Sequence, residues 1–190
     1  MAREKRISLN GIHPDNATGR VKELFDTAQA KLGFVPNMYT NMANTPALLD
    51  TYMQGYQLFR EHSQFSPQEQ EVVFLAISYE HHCEYCVSAH SLIADKMSDV
   101  SPDTLKAIRA GETIPNAKLA ALDTFTRVMI DTRGNPSAED IATFRAAGYS
   151  DQAILDIVLA LSVKVISNYA NHLFATPLDD AFAAYTWPEQ

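Results

Sequence analysis

The sequence contains little cysteine and no concentrated basic segment, and each absence excludes a class of protein. In 190 residues there are 15 Lys or Arg against 23 Asp or Glu, giving a formal net charge of -8. The basic residues are scattered, so no positive surface is predicted that would neutralise the phosphates of a nucleic acid. The two cysteines, Cys83 and Cys86, enclose too short a loop for a useful stabilising disulfide. In a reducing compartment such a pair is more often catalytic or metal-binding.

Long apolar runs are also missing. The longest runs from Ala153 to Ile166, is interrupted by Asp156 and Lys164, and is shorter than the ~20 residues that span a bilayer. We interpret it as a buried core helix. The N-terminal segment MAREKRISLN carries charge without a following apolar run, so it does not resemble a secretory signal. These features predict a cytoplasmic protein with no membrane partner.

The hydrophobic pattern has helical spacing, and no stretch alternates apolar and polar residues long enough to indicate a strand. We therefore predict an all-α fold and a single domain over 1–190. Its N-terminal helices should cover about 18–62, its core with the cysteine pair about 66–98, and its second half about 101–186. Ser66 followed by Pro67 and Glu69 is a capping-box pattern, which predicts a helix start at that point.

An internal repeat is the next feature of the pattern. The stretch 66–94 resembles 150–175, pairing Ser66 with Ser150 and His90 with His172 if a few residues are dropped between them. A true repeat predicts a fold built from two related helical hairpins. The alternative is two amphipathic helices that look alike because both contribute to the core.

The cysteines and His90 share one helix face. At ~100° per residue, Cys86 and His90 lie about 40° apart, and Cys83 and His90 about 20° apart across two turns. A histidine one turn beyond a cysteine can accept its proton directly or through one water, as general-base catalysis requires. The spacing therefore predicts a reactive thiol rather than an inert one.

The environment must assist this proton transfer. Moving a proton from a thiol of pKa ~8.5 to an imidazole of pKa ~6.5 is uphill by about 2.7 kcal/mol. A helix start favours the anion at Cys83 and, less strongly, at Cys86. A carboxylate near the imidazole would also help. Glu71 is the best candidate because it lies inside the apolar run EVVFLAIS, whereas Glu69 and Glu80 are weaker choices. The alternative for Glu71 is a solvated position on the polar side of its helix.

Two other interpretations of the cysteine pair stay open. Zinc could be bound by Cys83, Cys86, His90 and either His81 or His82. Against zinc, these ligands all lie at one helix entry and no second CxxC exists. The cysteines could also be buried and inert.

Glu71, eleven intervening residues, the sequence CEYC and then His90 resemble the core motif of AhpD-like members of the carboxymuconolactone decarboxylase superfamily. The segments GFVPNMYTNMANTPALLDTYM and SNYANHLFATPLDD resemble, more particularly, its peroxidase-related subgroup. The resemblance implies an all-α fold in a homo-oligomer (dimer, trimer or hexamer), and a peroxidase cycle that a dithiol reductant or adaptor protein supplies with electrons. We expect no cofactor and no metal ion.

The resemblance also implies residue roles. Cys86 would be the peroxidatic thiol, Cys83 the resolving thiol facing the reductant, and His90 with Glu71 the proton relay. The chain departs from the family pattern at Tyr85, where well-studied members carry a histidine.

Tyr85 and His82 are possible supporting residues. The Tyr85 hydroxyl could donate to a peroxide oxygen or only pack. The favoured function is a thiol-dependent peroxidase acting on hydroperoxides. The alternatives are a dithiol-disulfide reductase or adaptor without peroxidase activity, and a metal-binding or structural oligomer.

Overall fold

The structure is a computed structural model that describes residues 4–187, and helices are its regular elements. The α-helices are α1 (Gly19–Leu32), α2 (Asn37–Met42), α3 (Pro46–His62), α4 (Pro67–Glu80), α5 (Glu84–Met97), α6 (Pro102–Ala110), α7 (Ala117–Asp131), α8 (Ala138–Ala146) and α9 (Asp151–Phe174). Short 3-10 helices cover Pro14–Asn16 and Asp180–Tyr185. The all-α class predicted from the sequence is confirmed.

Helix starts follow the capping residues. The Ser66 side chain accepts from the Glu69 amide while the Glu69 carboxylate accepts from the Ser66 amide, so the predicted capping box opens α4. The start of α7 is set by an asparagine. The Asn116 side chain accepts from the amides of Lys118 and Leu119 at 3.0 and 3.1 Å, so α7 begins at Ala117.

The central helix is α4, which contacts α5, α6, α7 and α9. Its residues Gln70 to Ser78 are all buried, so other parts of the protein surround most of the circumference of the helix. Two hydrophobic clusters meet at α9, which gives Ile157 and Ala160 to the cluster around α4 and α7. Its next turns give Val163 and Ala170 to a second cluster, which contains both cysteines and residues of α1 to α3. The cysteine pair therefore lies where the N-terminal helices close over α9.

The predicted repeat is not a repeat of hairpins. The first copy forms two helices, α4 and α5, separated by a turn at residues 81–83, whereas the second copy is the single continuous helix α9 of 24 residues. The second copy is shorter and lacks a counterpart of the turn, so nothing interrupts its helical hydrogen bonds. Among the described residues, α9 also meets the length and composition of a membrane span, with a mean hydropathy of 1.6. Helix α9 is also longer than the buried core helix that the apolar run from Ala153 to Ile166 predicts.

Candidate active site

The turn between α4 and α5 positions the two cysteines. His82 adopts a left-handed conformation with φ 51°, which reverses the chain after α4. The Cys83 amide donates to the Ser78 carbonyl at 2.9 Å, and Cys83 then caps α5 in an extended conformation. Cys86 follows in the first turn of α5. Both cysteines are free and buried, at 0% and 2% exposure.

The two sulfur atoms share one hydrogen-bond donor from α9. The Asn171 side-chain Nδ2 lies 3.3 Å from the Cys86 sulfur and 3.8 Å from the Cys83 sulfur. Ser167 Oγ lies 3.8 Å from the Cys86 sulfur. The Cys83 thiol also hydrogen-bonds the Cys86 sulfur. Both sulfurs therefore lie on the same side of the backbone, close to each other.

The surroundings distinguish the two thiols electrostatically. Burial raises the pKa of the Cys83 thiol well above its ordinary value, and the nearby Cys86 raises it further. Burial would also raise the pKa of the Cys86 thiol. The hydrogen bond from Cys83 and the positive charge of Lys164 outweigh burial and hold it well below the ordinary value. At Cys83 the backbone contact at the helix start and the charge of Lys164 also lower the thiol pKa, but burial and the Cys86 sulfur outweigh them.

Lys164 is the residue that sequence reasoning missed. It lies on α9, 78 positions after Cys86 in the chain, and it is fully buried. In the sequence Lys164 is recognisable only as a charged residue that interrupts the longest apolar run. A cation in a core is costly without a counter-charge, and the charge of Lys164 lowers the pKa of the Cys86 thiol, which favours the thiolate.

His90 and Glu71 form the predicted pair. His90 Nδ1 lies 2.8 Å from Glu71 Oε2, and the other Glu71 oxygen pairs with Arg60. Burial would raise the pKa of the Glu71 carboxyl, but His90 and Arg60 together hold it below its ordinary value. Burial and the charge of Lys164 lower the pKa of His90 despite the carboxylate. A neutral ring that donates from Nδ1 to Glu71 leaves the other nitrogen free to accept a proton.

The other carboxylates weighed for this role serve elsewhere. Glu69 is committed to the capping box of α4 and to an ion pair with Lys118. Glu80 pairs with Arg127. The structure thus brings Glu71, and neither Glu69 nor Glu80, against His90.

Cys86 and His90 lie in the wall of a cavity of about 700 Å³. The rest of the wall is mainly aliphatic and aromatic, including Phe34, Met38, Tyr39, Tyr52, Leu92, Ile93 and Phe182. Cys83 does not line this cavity. The resemblance implied a resolving cysteine that faces a reductant, but Cys83 is completely buried behind Cys86.

Tyr85 and His82 differ in their position relative to the cavity. The Tyr85 side chain lines the cavity, but its hydroxyl donates to Asp179 Oδ2. Asp179 also accepts from the Asn37 amide at 3.1 Å and so closes the C-terminal segment over α2. The hydroxyl is therefore engaged in a structural contact. His82 is exposed in the turn and is not part of the cavity wall, so the structure does not bring it to the site.

No metal site is evident in the part of the chain that the structure describes. Within residues 4–187, no three His, Cys, Asp or Glu side chains are grouped to hold a metal ion. His81 Nδ1 instead lies 2.9 Å from Asn168 Oδ1 on α9.

A family model and several solved structures resemble this chain. The carboxymuconolactone decarboxylase family model matches residues 46–128, which include Glu71, both cysteines and His90. An AhpD-core, peroxidase-related protein from Ralstonia eutropha has a solved structure with a TM-score of 0.81, 19% identity, and coverage of 96% of this chain and 97% of that one. Part of the chain is thus similar to the carboxymuconolactone decarboxylase family, and its fold is AhpD-like.

Two further solved structures share the AhpD-like fold. A peroxidase-related protein from a Silicibacter species has a TM-score of 0.77 and 21% identity, covering 94% of this chain and 93% of that chain. A cysteine-to-alanine variant of the debrominase Bmp8, in complex with 2,3,4-tribromopyrrole, has a TM-score of 0.75 and 17% identity, covering 94% and 95%. No match was found among curated proteins. At these identities the structural likeness shows the fold alone.

Proposed function

We propose that this protein is a thiol-dependent peroxidase that reduces organic hydroperoxides through a Cys83/Cys86 dithiol-disulfide cycle. The observation that carries the proposal is that the two sulfur atoms differ in thiol pKa and in their position relative to the cavity. Cys86, whose pKa is lowered, lies in the wall of the cavity, and Cys83 lies directly behind it. A thiolate facing a substrate cavity with a second thiol in reach is what reduction of a peroxide by two cysteines requires.

The first step uses His90 to move a proton. The Cys86 thiolate, whose proton His90 has accepted, attacks the terminal oxygen of the hydroperoxide. The O–O bond breaks, an S–O bond forms, and the departing alkoxide takes the proton back from His90. The products are an alcohol and a sulfenic acid on Cys86. Glu71 stabilises the imidazolium that exists between these proton transfers.

The second step uses Cys83. Its sulfur attacks the sulfenic sulfur of Cys86, an S–S bond forms and water leaves. A dithiol reductant then exchanges with the disulfide and restores both thiols, becoming a disulfide itself. Because Cys83 is completely buried, attack of the reductant on the Cys83 sulfur would require the turn at residues 81–83 to open locally, whereas the Cys86 sulfur lies in the cavity wall.

The cavity supports an organic rather than an inorganic peroxide. Its volume of about 700 Å³ exceeds what hydrogen peroxide would fill, and its wall is mainly aliphatic and aromatic. Burial of an apolar group against such a wall is favourable by roughly 25 cal/mol per Å². We expect kcat/KM to be larger for cumene hydroperoxide than for hydrogen peroxide.

Thiol titration before and after one equivalent of cumene hydroperoxide tests the cycle. The wild type should lose two thiols per chain and regain both with dithiothreitol. Cys86→Ser should consume no peroxide, and Cys83→Ser should complete at most one round. His90→Ala should slow the first step, with the exposed His62→Ala as the matched control. Equal turnover in both cysteine variants would remove the proposal, whereas a redox-active pair that consumes no peroxide would favour a disulfide reductase.

A second candidate function is reductive dehalogenation of a halogenated aromatic compound. The aromatic residues of the cavity wall and the shared fold with the debrominase Bmp8 favour it. The Cys86 thiolate would take up the halogen, the ring carbon would gain a proton, and Cys83 would displace halide to form the disulfide. Bromide release from a brominated pyrrole, measured beside peroxide consumption, decides between the two functions.

We also propose a homo-oligomer, as the family resemblance implied. Along α9, the side chains of Leu155, Val158, Tyr169 and Leu173 are exposed although they are large and apolar. An apolar stripe along one helix face is typical of a contact between subunits. Light scattering of the wild type beside Leu155→Glu tests this assignment, and a wild-type monomer would contradict it.

A further inference from the structure

The ammonium group of Lys164 lacks a hydrogen-bond acceptor among residues 4–187, although the residue is completely buried. Its Nζ lies 5.5 Å from the centre of the Phe74 ring, which is a cation–π contact. A cation removed from water without an anionic partner is costly. In the reduced protein the nearby Cys86 thiolate supplies the opposite charge.

The other cations of the cavity wall are either paired with an anion or exposed to solvent. The wall contains Lys31, Arg60 and Lys164, and among the residues that the structure describes no Asp or Glu is part of it. Arg60 forms an ion pair with Glu71 and donates to the Tyr56 hydroxyl at 2.8 Å. Lys31 is exposed to solvent at the rim. The cavity wall of this acidic protein is therefore positively charged, and Lys164 is its buried cation without an ionic partner among the described residues.

Oxidation of the cysteines changes the charge balance at this point. Both sulfurs of a disulfide are neutral, so formation of the Cys83–Cys86 bond removes the thiolate. The bond, about 2.05 Å long, also draws the Cys86 sulfur toward Cys83 and away from the cavity. The Lys164 ammonium is then left beside an apolar cavity without a counter-charge.

We propose that the disulfide form of this protein binds an organic carboxylate with an apolar body in the cavity, its carboxylate on Lys164, and that the dithiol form binds it more weakly. The inference rests on the proposed dithiol-disulfide cycle. The carboxylate supplies the missing negative charge, and the volume of about 700 Å³ accommodates the apolar body. Because linkage is reciprocal, a bound carboxylate stabilises the disulfide against reduction. Organic acids of this kind therefore regulate the cycle by holding the enzyme oxidised.

Binding of octanoate, measured by calorimetry, tests the proposal, with 1-octanol as the neutral control ligand. The disulfide form is prepared with diamide, without any peroxide, and thiol titration establishes its redox state. Octanoate should bind the disulfide form about tenfold more tightly than the dithiol form, a typical coupling between two sites. 1-Octanol should bind both forms equally. Saturating octanoate should lower the midpoint potential of the dithiol pair by about 30 mV, which is the same tenfold factor for a two-electron couple.

Lys164→Met removes the charge and keeps a side chain of similar length. This variant should bind 1-octanol as the wild type does, which also reports that the cavity is intact, and should lose the redox dependence of octanoate binding. Equal octanoate affinity in the two wild-type forms would overturn the proposal without reference to any variant. So would a redox preference that 1-octanol shares or that Lys164→Met retains.

The outcomes separate this inference from the peroxidase function. If peroxide is not consumed but the diamide-oxidised protein binds octanoate more tightly than the dithiol form does, the carboxylate site is supported and the peroxidase assignment is refuted. If peroxide is consumed and octanoate shows no preference, the reverse holds. If diamide leaves both thiols free, the cycle and the carboxylate site fall together.

Discussion

Replacing Lys164 with methionine should raise the pKa of the Cys86 thiol. The ammonium is buried beside Cys86 and is one of the main influences that lower this pKa. An opposite charge within ~4–6 Å shifts the pKa of an acid by about 1–3 units. The Cys83 and Asn171 hydrogen bonds remain in the variant, so we expect a rise of about 1–2 units.

The rise should change the shape of the pH–rate profile. At pH 7 less of the variant is thiolate, but a thiolate of higher pKa is the better nucleophile, with a Brønsted coefficient of about 0.4–0.5. The two effects partly cancel, so kcat/KM for an organic hydroperoxide should fall only about twofold to tenfold at pH 7. Above the variant's thiol pKa, where both proteins are fully ionised, the variant should match or exceed the wild type. The two profiles should therefore cross.

Thiolate absorbance near 240 nm and the pH dependence of iodoacetamide alkylation at Cys86 measure the pKa directly. Lys106→Met is the matched control, because Lys106 is exposed and lies outside the cavity wall. An unchanged alkylation profile in Lys164→Met, or an equal shift in the control, would refute the reasoning. A uniform loss of rate at every pH would indicate damage to the fold instead.

Two further changes test the buried polar contacts. Glu71→Gln leaves Arg60 without its carboxylate, so the free energy of unfolding should fall by about 3–5 kcal/mol, measured by urea denaturation beside the exposed Glu61→Gln. The folded-state pKa of Glu71 is lowered. The contribution of ionised Glu71 to the free energy of unfolding is thus present above the ordinary pKa of ~4.3 and is lost as pH falls through the folded pKa. In Glu71→Gln this loss of stability at acidic pH should be absent. Tyr85→Phe removes the hydrogen bond to Asp179 and should cost about 1–2 kcal/mol, with kcat/KM unchanged within about twofold. A large loss of kcat/KM without a loss of stability would restore the hydroxyl as a donor to peroxide.

Local sequence signals were sufficient for most helix starts. Ser66, Ser101 and Ser137 each precede a helix and accept a hydrogen bond from an amide of its first turn. Such caps act within three residues and need no tertiary contact. The same locality explains the predicted placement of Cys86 and His90 on one face of α5. The continuity of α9 was missed because a resemblance between two apolar stretches does not reveal a missing turn.

The asymmetry between the two sulfurs could not be predicted from the sequence around them. The helix start is a local feature, and by itself it favours an anion at Cys83. The groups that reverse this preference, Lys164, Ser167 and Asn171, come from α9 and reach the sulfurs only because α9 packs against α5. Their spacing of three and four residues places them on one helix face, a pattern that is recognisable once the face opposite the cysteines is known.

This arrangement assigns separate tasks to separate helices. In the proposed mechanism helices α4 and α5 supply the proton path, because Glu71 and His90 meet across them at 2.8 Å. Helix α9 supplies the charge and the hydrogen bonds that make Cys86 an anion. A substitution on α4 or α5 should therefore affect the transfer of protons, and one on the polar face of α9 should affect which sulfur is ionised. Since Cys83 lies behind Cys86 and outside the cavity wall, only ionisation at Cys86 presents a nucleophile to a substrate. The choice between the two sulfurs is thus made by a helix that carries neither of them.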